Sequence, residues 1–299
     1  MGETSRIESW QRLNKVLKSL EESRMRVLVL GSHGCVGTAV ARYFKEKGHE
    51  VIPWDIKMGD EYDLRRASNL DSILPTVDFC IFLAFDVGGS KYKIESLQYI
   101  ENNMRILQNT FHSLEKYKTP FIHTSSMMSN MNNNPYAVLK RLGELYTDIV
   151  GGVNVKLWNV YGSEPITEKS HVIPDFIHQA IHDNQIKMRT NGSEDRLFLY
   201  CDDFAAAIYV IFEHYIDFTS KGSIDISSRN WITIKEVALL IKEVAKDRLG
   251  KDIDVREGTY VDTFHNRKNQ PEDSYLDALW QPTVTMKEGI RKVFESMLP

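Results

Sequence analysis

Tyr136 and Lys140 stand four residues apart, and the pair Ser125-Ser126 ends ten residues upstream of the tyrosine. That spacing puts phenol and amine on one face of a helix, within reach of each other. An ammonium near a phenol favours the phenolate, so a tyrosine with an ordinary pKa of about 10 can act as a base near neutral pH. A serine hydroxyl from the preceding strand end would hold the same substrate oxygen. Upstream, Gly31-Ser-His-Gly34-Cys-Val-Gly37 follows an apolar run and opens a helical one. Glycines there let the backbone turn tightly and approach a pyrophosphate, whose charge suits a helix N-terminus. Asp55 falls 18 residues after Gly37. A carboxylate at that place accepts hydrogen bonds from ribose hydroxyls and repels a 2′-phosphate, which favours NAD over NADP. Lys57 lies close by and works against that preference. The combination points to hydride transfer with a bound dinucleotide.

These residues need a scaffold that presents them together. Met25–Leu30, Glu50–Trp54, residues 77–84, Phe121–Thr124 and residues 153–160 read as strands. Between them, residues 38–47, about 94–117 and 136–150 read as helices, the first closed by Gly48. Continuously apolar strands alternating with helices predict an α/β fold with a doubly wound parallel sheet of Rossmann type. From about residue 163 the pattern is less regular, with helices at 173–183, 234–248 and 285–297. The expected organisation is an amphipathic N-terminal helix over 1–24, built on Ile7, Trp10, Leu13, Leu17 and Leu20. A dinucleotide-binding domain over 25–162 follows, to which 203–230 returns. A smaller α/β substrate-binding part spans 163–202 and 231–299.

Composition narrows the function classes. A formal net charge of -4 without a basic stripe argues against nucleic acid as the main partner. Three scattered cysteines, Cys35, Cys80 and Cys201, give no disulfide frame and fit a reducing compartment. No apolar run approaches the ~20 residues of a membrane span, and no signal-peptide pattern opens the chain. The chain reads as soluble and cytoplasmic. His178 and His182 have the spacing of a metal pair but no acidic or sulfur companion, so they read as a solvated helix face and no metal site is expected. Asp202-Asp203 precede a run of small residues and read as helix-capping acids.

The glycine motif with the Ser–Tyr–Lys set resembles the extended short-chain dehydrogenase/reductases that act on nucleotide-sugars, from about residue 25 almost to the C-terminus. Further segments carry the likeness: Asp63-Leu64, Asn159-Val-Tyr-Gly162, and Arg196-Leu-Phe-Leu-Tyr-Cys-Asp202-Asp203. Ala84-Phe-Asp-Val-Gly-Gly89, Asn103-Met-Arg-Ile-Leu-Gln-Asn109 and Ser170-His-Val-Ile-Pro174 give the flavour of the GDP-fucose synthase branch. The resemblance implies a catalytic set of Ser126 (or Ser125), Tyr136 and Lys140, with His171 in the place of that branch's histidine. It implies cofactor contacts from Gly31, His33, Gly34, Cys35, Val36, Gly37, Asp55, Asp63, Leu64, Leu83, Ala84 and Asn103 besides Tyr136 and Lys140. Substrate contacts would come from Asn159, His171, Val172 and Arg196. The cysteine that the branch pairs with its histidine for epimerisation is replaced by Met127 or Met128, and the Asp-Glu pair of dehydratases is absent.

The reading is an NAD-dependent oxidoreductase or epimerase, with NADP possible, acting at C4 of a nucleotide-diphosphate sugar through a 4-keto sugar. The alternatives are an NADP-dependent 4-keto-sugar reductase of GDP-fucose synthase type and a non-catalytic dinucleotide sensor. A homodimer is expected through the helices at 94–117 and 136–150, with Ile106, Leu107, Leu139 and Leu142 facing the partner.

Overall fold

The computed structural model describes residues 24–87, 95–131, 134–219, 221–262, 270–272 and 275–298, and the amphipathic helix expected at the N-terminus lies outside them. Six strands form one sheet: β1 (Arg26–Leu30), β2 (Glu50–Trp54), β3 (Phe79–Phe82), β4 (Phe121–Ser126), β5 (Val153–Leu157) and β6 (Ser223–Ile226). All neighbours pair in parallel, in the spatial order β2-β1-β3-β4-β5-β6. The chain thus winds outward from β1 to β2, then crosses back to β3 and winds the other way. Such a reversal leaves a crevice beyond the carboxyl ends of β1 and β3, where this class of sheet holds ligands.

Alternation along β1 explains the layers. Val27 and Val29 face a cluster with Val40 and Phe44 of α1 (Cys35–Glu46), while Leu28 and Leu30 face a cluster with Leu107 and Phe111 of α2 (Leu97–Tyr117) and Leu139 of α3 (Pro135–Val150). Strands covered on both faces need apolar side chains on both, hence the unbroken hydrophobic runs. The doubly wound parallel sheet is the expected one.

Two boundaries differ from the sequence reading in ways that bear on the site. Helix α1 starts at Cys35, immediately after Gly34, because the turn is completed within Gly31–Gly34. Strand β4 runs through both serines. The stretch between β2 and β3 holds only short 3-10 turns at Ile56–Met58, Asp60–Tyr62 and Leu74–Thr76.

Past β5 the chain builds a second core from α4 (Val172–His182), α6 (Ile234–Leu249) and α7 (Met286–Met297), around Ile173, Phe176, Ile177, Val237, Ile241, Ile290 and Phe294. Between them, α5 (Cys201–Glu213) returns to pack on the sheet beside α1. Asp202 and Asp203 lie in its first turn, but their carboxylates reach further than capping requires. Asp203 accepts from the N–H groups of Thr283 and Val284 and the Thr283 hydroxyl, and Asp202 pairs with Arg42.

Candidate functional site

The glycine loop shows why Gly31 and Gly37 must lack a side chain. Gly31 has φ +86°, and a Cβ there would lie 2.8 Å from the Ala84 nitrogen. A Cβ on Gly37 would lie 2.0 Å from the Gly31 carbonyl oxygen. Backbone therefore fills the space side chains would take, and the free N–H groups opening α1 face the cleft, which fits a dinucleotide pyrophosphate. Asp55 is tied into this loop: its carboxylate accepts from the His33 N–H at 2.9 Å and the Lys57 N–H at 3.0 Å. The Lys57 ammonium donates to the His33 carbonyl at 2.8 Å. An acid and a base thus stand side by side where an adenosine ribose would lie.

Asp63 is gripped by the Arg65 guanidinium at 2.8–3.1 Å, which holds its carboxyl below the usual range. Leu64, Leu83 and Ala84 line the same cleft. Asn103 does not. It is fully buried, accepting from the Asp86 N–H and donating to the carbonyls of Asp86 and Tyr99. Its amide holds the loop after β3, and the neighbouring helix positions Asn102 and Ile106 line the cleft instead.

The two serines separate. Successive residues of a strand point to opposite faces, and Ser125 turns to the buried Glu144 carboxylate, donating at 2.6 Å. Arg141 binds the other Glu144 oxygen at 2.7 Å. Ser126 instead accepts from the Met128 N–H and hydrogen-bonds the Tyr136 phenol. Tyr136 meets Phe85 edge-on, and the Lys140 amine lies 3.9 Å from the centre of that same ring.

The electrostatics differ from the expectation drawn on spacing. The Lys140 amine donates to the Thr124 carbonyl at 3.0 Å and stays 5.8 Å from the Tyr136 ring centre. Burial raises the phenol's pKa, only partly opposed by the Ser126 hydroxyl, and lowers the amine's to about 7 despite the nearby Glu144. Desolvation disfavours the charged form of each. Spacing alone does not single out this pair: Tyr43 and Lys47 share it, yet neither lines the cleft.

At the far end His171 N-caps α4, and its Nδ1 sits 2.9 Å from Glu164 Oε2. That carboxylate raises the imidazole's pKa. Val172 follows on the same rim, and Asn159 takes a left-handed φ of 38°. Arg196 reaches Asp262 at 2.7 Å, and Lys169 reaches Asp86 at 2.7 Å.

Apart from Asn103, every residue singled out in the sequence for the site lines one cleft of about 2040 Å³. Ordinary small-molecule pockets hold ~300–1,000 Å³, so there is room for a dinucleotide and a second nucleotide together. Sequence reasoning missed Glu144, Glu164, Asp86 and Lys169; the Ser125–Glu144 and Asp86–Lys169 pairs lie 19 and 83 residues apart, beyond any helix or strand period. The His178 and His182 rings lie 4.4 Å apart, tilted by 43°, and among the described residues no group of three metal-binding side chains occurs.

A Rossmann sheet whose glycine cradle and Ser–Tyr–Lys set open into one cleft defines an NAD(P)-dependent oxidoreductase fold. The chain belongs to the NAD dependent epimerase/dehydratase family, whose profile matches residues 27–227. It is similar to the putative GDP-L-fucose synthase 2 of Arabidopsis thaliana, 26% identical with 92% of each chain covered. Its fold is similar to an epimerase of Methanothermobacter thermautotrophicus (TM-score 0.77, 19% identity, 91% of each chain). It is also similar to a GDP-mannoheptose C4 reductase of Campylobacter jejuni with NADP bound (TM-score 0.74, 17% identity, 92% of this chain and 98% of that one). Among the described residues, no helix is long and apolar enough to cross a membrane.

Proposed function

We propose that this enzyme oxidises C4 of a nucleotide-diphosphate sugar with NAD, releasing the 4-keto sugar or re-reducing it on the other face. The observation that carries the reading is that Ser126, Tyr136 and Lys140 line the same cleft as the glycine cradle. As phenolate, Tyr136 takes the proton of the C4 hydroxyl, and Ser126 holds the same oxygen. Lys140, charged below about pH 7, supplies positive potential next to both. A bound nicotinamide accepts or returns the hydride. Arg196, Asn159, Val172 and His171 receive the nucleotide-sugar on the side built by the second core. Likeness to GDP-fucose synthases along nearly the whole chain supports a nucleotide-sugar substrate.

One observation favours a second reading, NADP-dependent reduction of a 4-keto sugar. Lys57 stands beside Asp55, ready for a 2′-phosphate, and the Glu164 carboxylate keeps His171 protonated to higher pH as a proton donor. Incubating the enzyme with GDP- and UDP-sugars and following nicotinamide absorbance in both directions tests the pair. A protein that binds NAD(H) and NADP(H) but turns over none of these sugars is a sensor. His171→Asn divides the details. Loss of solvent-deuterium incorporation beside the carbonyl with C4 redox intact assigns it to epimerisation, and parallel losses assign it to binding.

A homodimer belongs to the same proposal, with a corrected interface. Leu107 and Leu139, expected to face a partner, are buried against the sheet. The exposed apolar positions are Leu97 and Met104 on α2 and Val138, Leu145 and Ile149 on α3. Those on α3 fall at steps of seven and four, one face of the helix. A concentration-independent monomer in sedimentation would remove the dimer.

A further inference from the structure

Two sulfurs meet beside the glycine cradle. Cys35 is the first residue of α1 and Cys201 the first of α5, so the N-termini of two adjoining helices converge on them. A Cβ on Gly162 would lie 2.6 Å from Cys201 Sγ and 2.8 Å from Cys35 Sγ. The sulfurs therefore flank one point from two sides, which is why a side chain cannot occupy position 162. The Cys201 thiol donates to the Asp202 carboxylate at 3.7 Å, an acceptor for its proton, while the neighbouring Cys201 and burial raise the Cys35 pKa. Both cysteines line the cleft, Cys35 half-buried and Cys201 buried, whereas Cys80 lies wholly inside β3. Neither thiol has a part in the proton and hydride transfers.

We infer that Cys35 and Cys201 form an oxidisable dithiol that hydrogen peroxide converts to an intramolecular disulfide, deforming the dinucleotide cradle and weakening cofactor binding. The Cys201 sulfur attacks one peroxide oxygen; the O–O bond breaks, and the departing hydroxide leaves as water with the Cys201 proton. The product is a Cys201 sulfenic acid. The Cys35 sulfur then attacks the Cys201 sulfur, the S–O bond breaks, and a second water leaves with the Cys35 proton. Two thiols lose two electrons and the peroxide gains them. A disulfide needs sulfurs ~2 Å apart, so forming it draws the first turn of α1 toward that of α5. Gly34 and the N–H groups that face the pyrophosphate move with it. A bound dinucleotide opposes that movement and shields Cys35. The inference concerns the cradle alone and does not depend on which sugar is turned over.

The experiment treats the reduced protein with hydrogen peroxide, with and without saturating NADH. Remaining thiols are then alkylated, and non-reducing digests are mapped by mass spectrometry. The expected result is a cross-linked Cys35–Cys201 peptide lacking two hydrogens, alkylated Cys80, and slower cross-linking with NADH present. NADH affinity of the oxidised protein, read by fluorescence titration, should fall roughly tenfold or more and recover with dithiothreitol. Cys201→Ser should bind NADH as the reduced protein does and keep that affinity after peroxide. Free Cys35 and Cys201 after treatment, or separate overoxidation without the cross-link, would overturn the dithiol. A cross-linked protein with unchanged NADH affinity would overturn its coupling to the cradle. A sugar-turnover failure with the cross-link and affinity loss intact would count against the proposed reaction only.

Discussion

Replacing Ser125 and Ser126 by alanine, one at a time, should damage this enzyme in two different ways. Ser126 is the partner of the Tyr136 phenol. Removing a positioned hydrogen-bond donor from a reacting oxygen typically costs ~10²–10³ in kcat. The fold should barely notice, since the only other group released is the Met128 N–H at the cleft wall. Ser125 is the reverse case. Its hydroxyl satisfies a Glu144 oxygen whose side chain is wholly buried, and the next donor to that oxygen, Lys156, is 3.8 Å away. A lost hydrogen bond to a buried charge costs about 1.5–3 kcal/mol, or roughly 2–5 °C in melting temperature for a chain of this size. The assay pairs kcat/KM with thermal unfolding for each variant. Ultraviolet titration of the phenol adds a third reading, because Ser126→Ala should push the Tyr136 pKa further up. If Ser125→Ala lost activity as severely as Ser126→Ala while melting like the parent, the assignment of the two serines would be wrong.

Tyr136→Phe should abolish hydride transfer yet bind NADH nearly normally, and Lys140→Ala should impair both. Loss of a positioned base costs ~10²–10⁴ in rate, and full activity in Tyr136→Phe would refute the mechanism. Asp55→Ala should narrow the preference for NAD over NADP and weaken both, since two loop N–H groups lose their acceptor. Tighter binding of NADPH than NADH by the unmodified enzyme would show that Lys57 outweighs the acid. Buried His123, hydrogen-bonded to Asn154, has its pKa lowered from 6.5 to about 3 by burial and then by the Lys140 charge. The folded state resists a proton that the unfolded chain accepts, so this stability is complete above about pH 6.5. It declines as pH falls toward 3, by roughly 4–5 kcal/mol in total. An imidazole resonance of His123 titrating near 6.5 in the folded protein would contradict this.

Local rules carried much of the site. Gly31 and Gly37 are legible because a tight strand-to-helix turn and close backbone approach admit only glycine. The parallel sheet is legible because strands covered on both faces leave no polar face. The partners of these residues were not legible. Ser125 and Ser126 look alike in a chain but point to opposite sides of β4, one to Glu144 and the other to Tyr136. Asn103 carries the right residue type on the right helix, yet one helical step decides whether it faces the cleft or the Asp86 loop. Leu107 and Leu139 belong to apolar stripes whose inner edge the sheet consumes. Glu164 meets His171 seven residues on through the fold of one loop, and Cys35 meets Cys201 across Gly162 where separately folded segments come together. Periodicity reports which way a side chain faces along its own element. What it meets there, and how far burial moves its pKa, depends on packing between elements, so only the tertiary structure decided it.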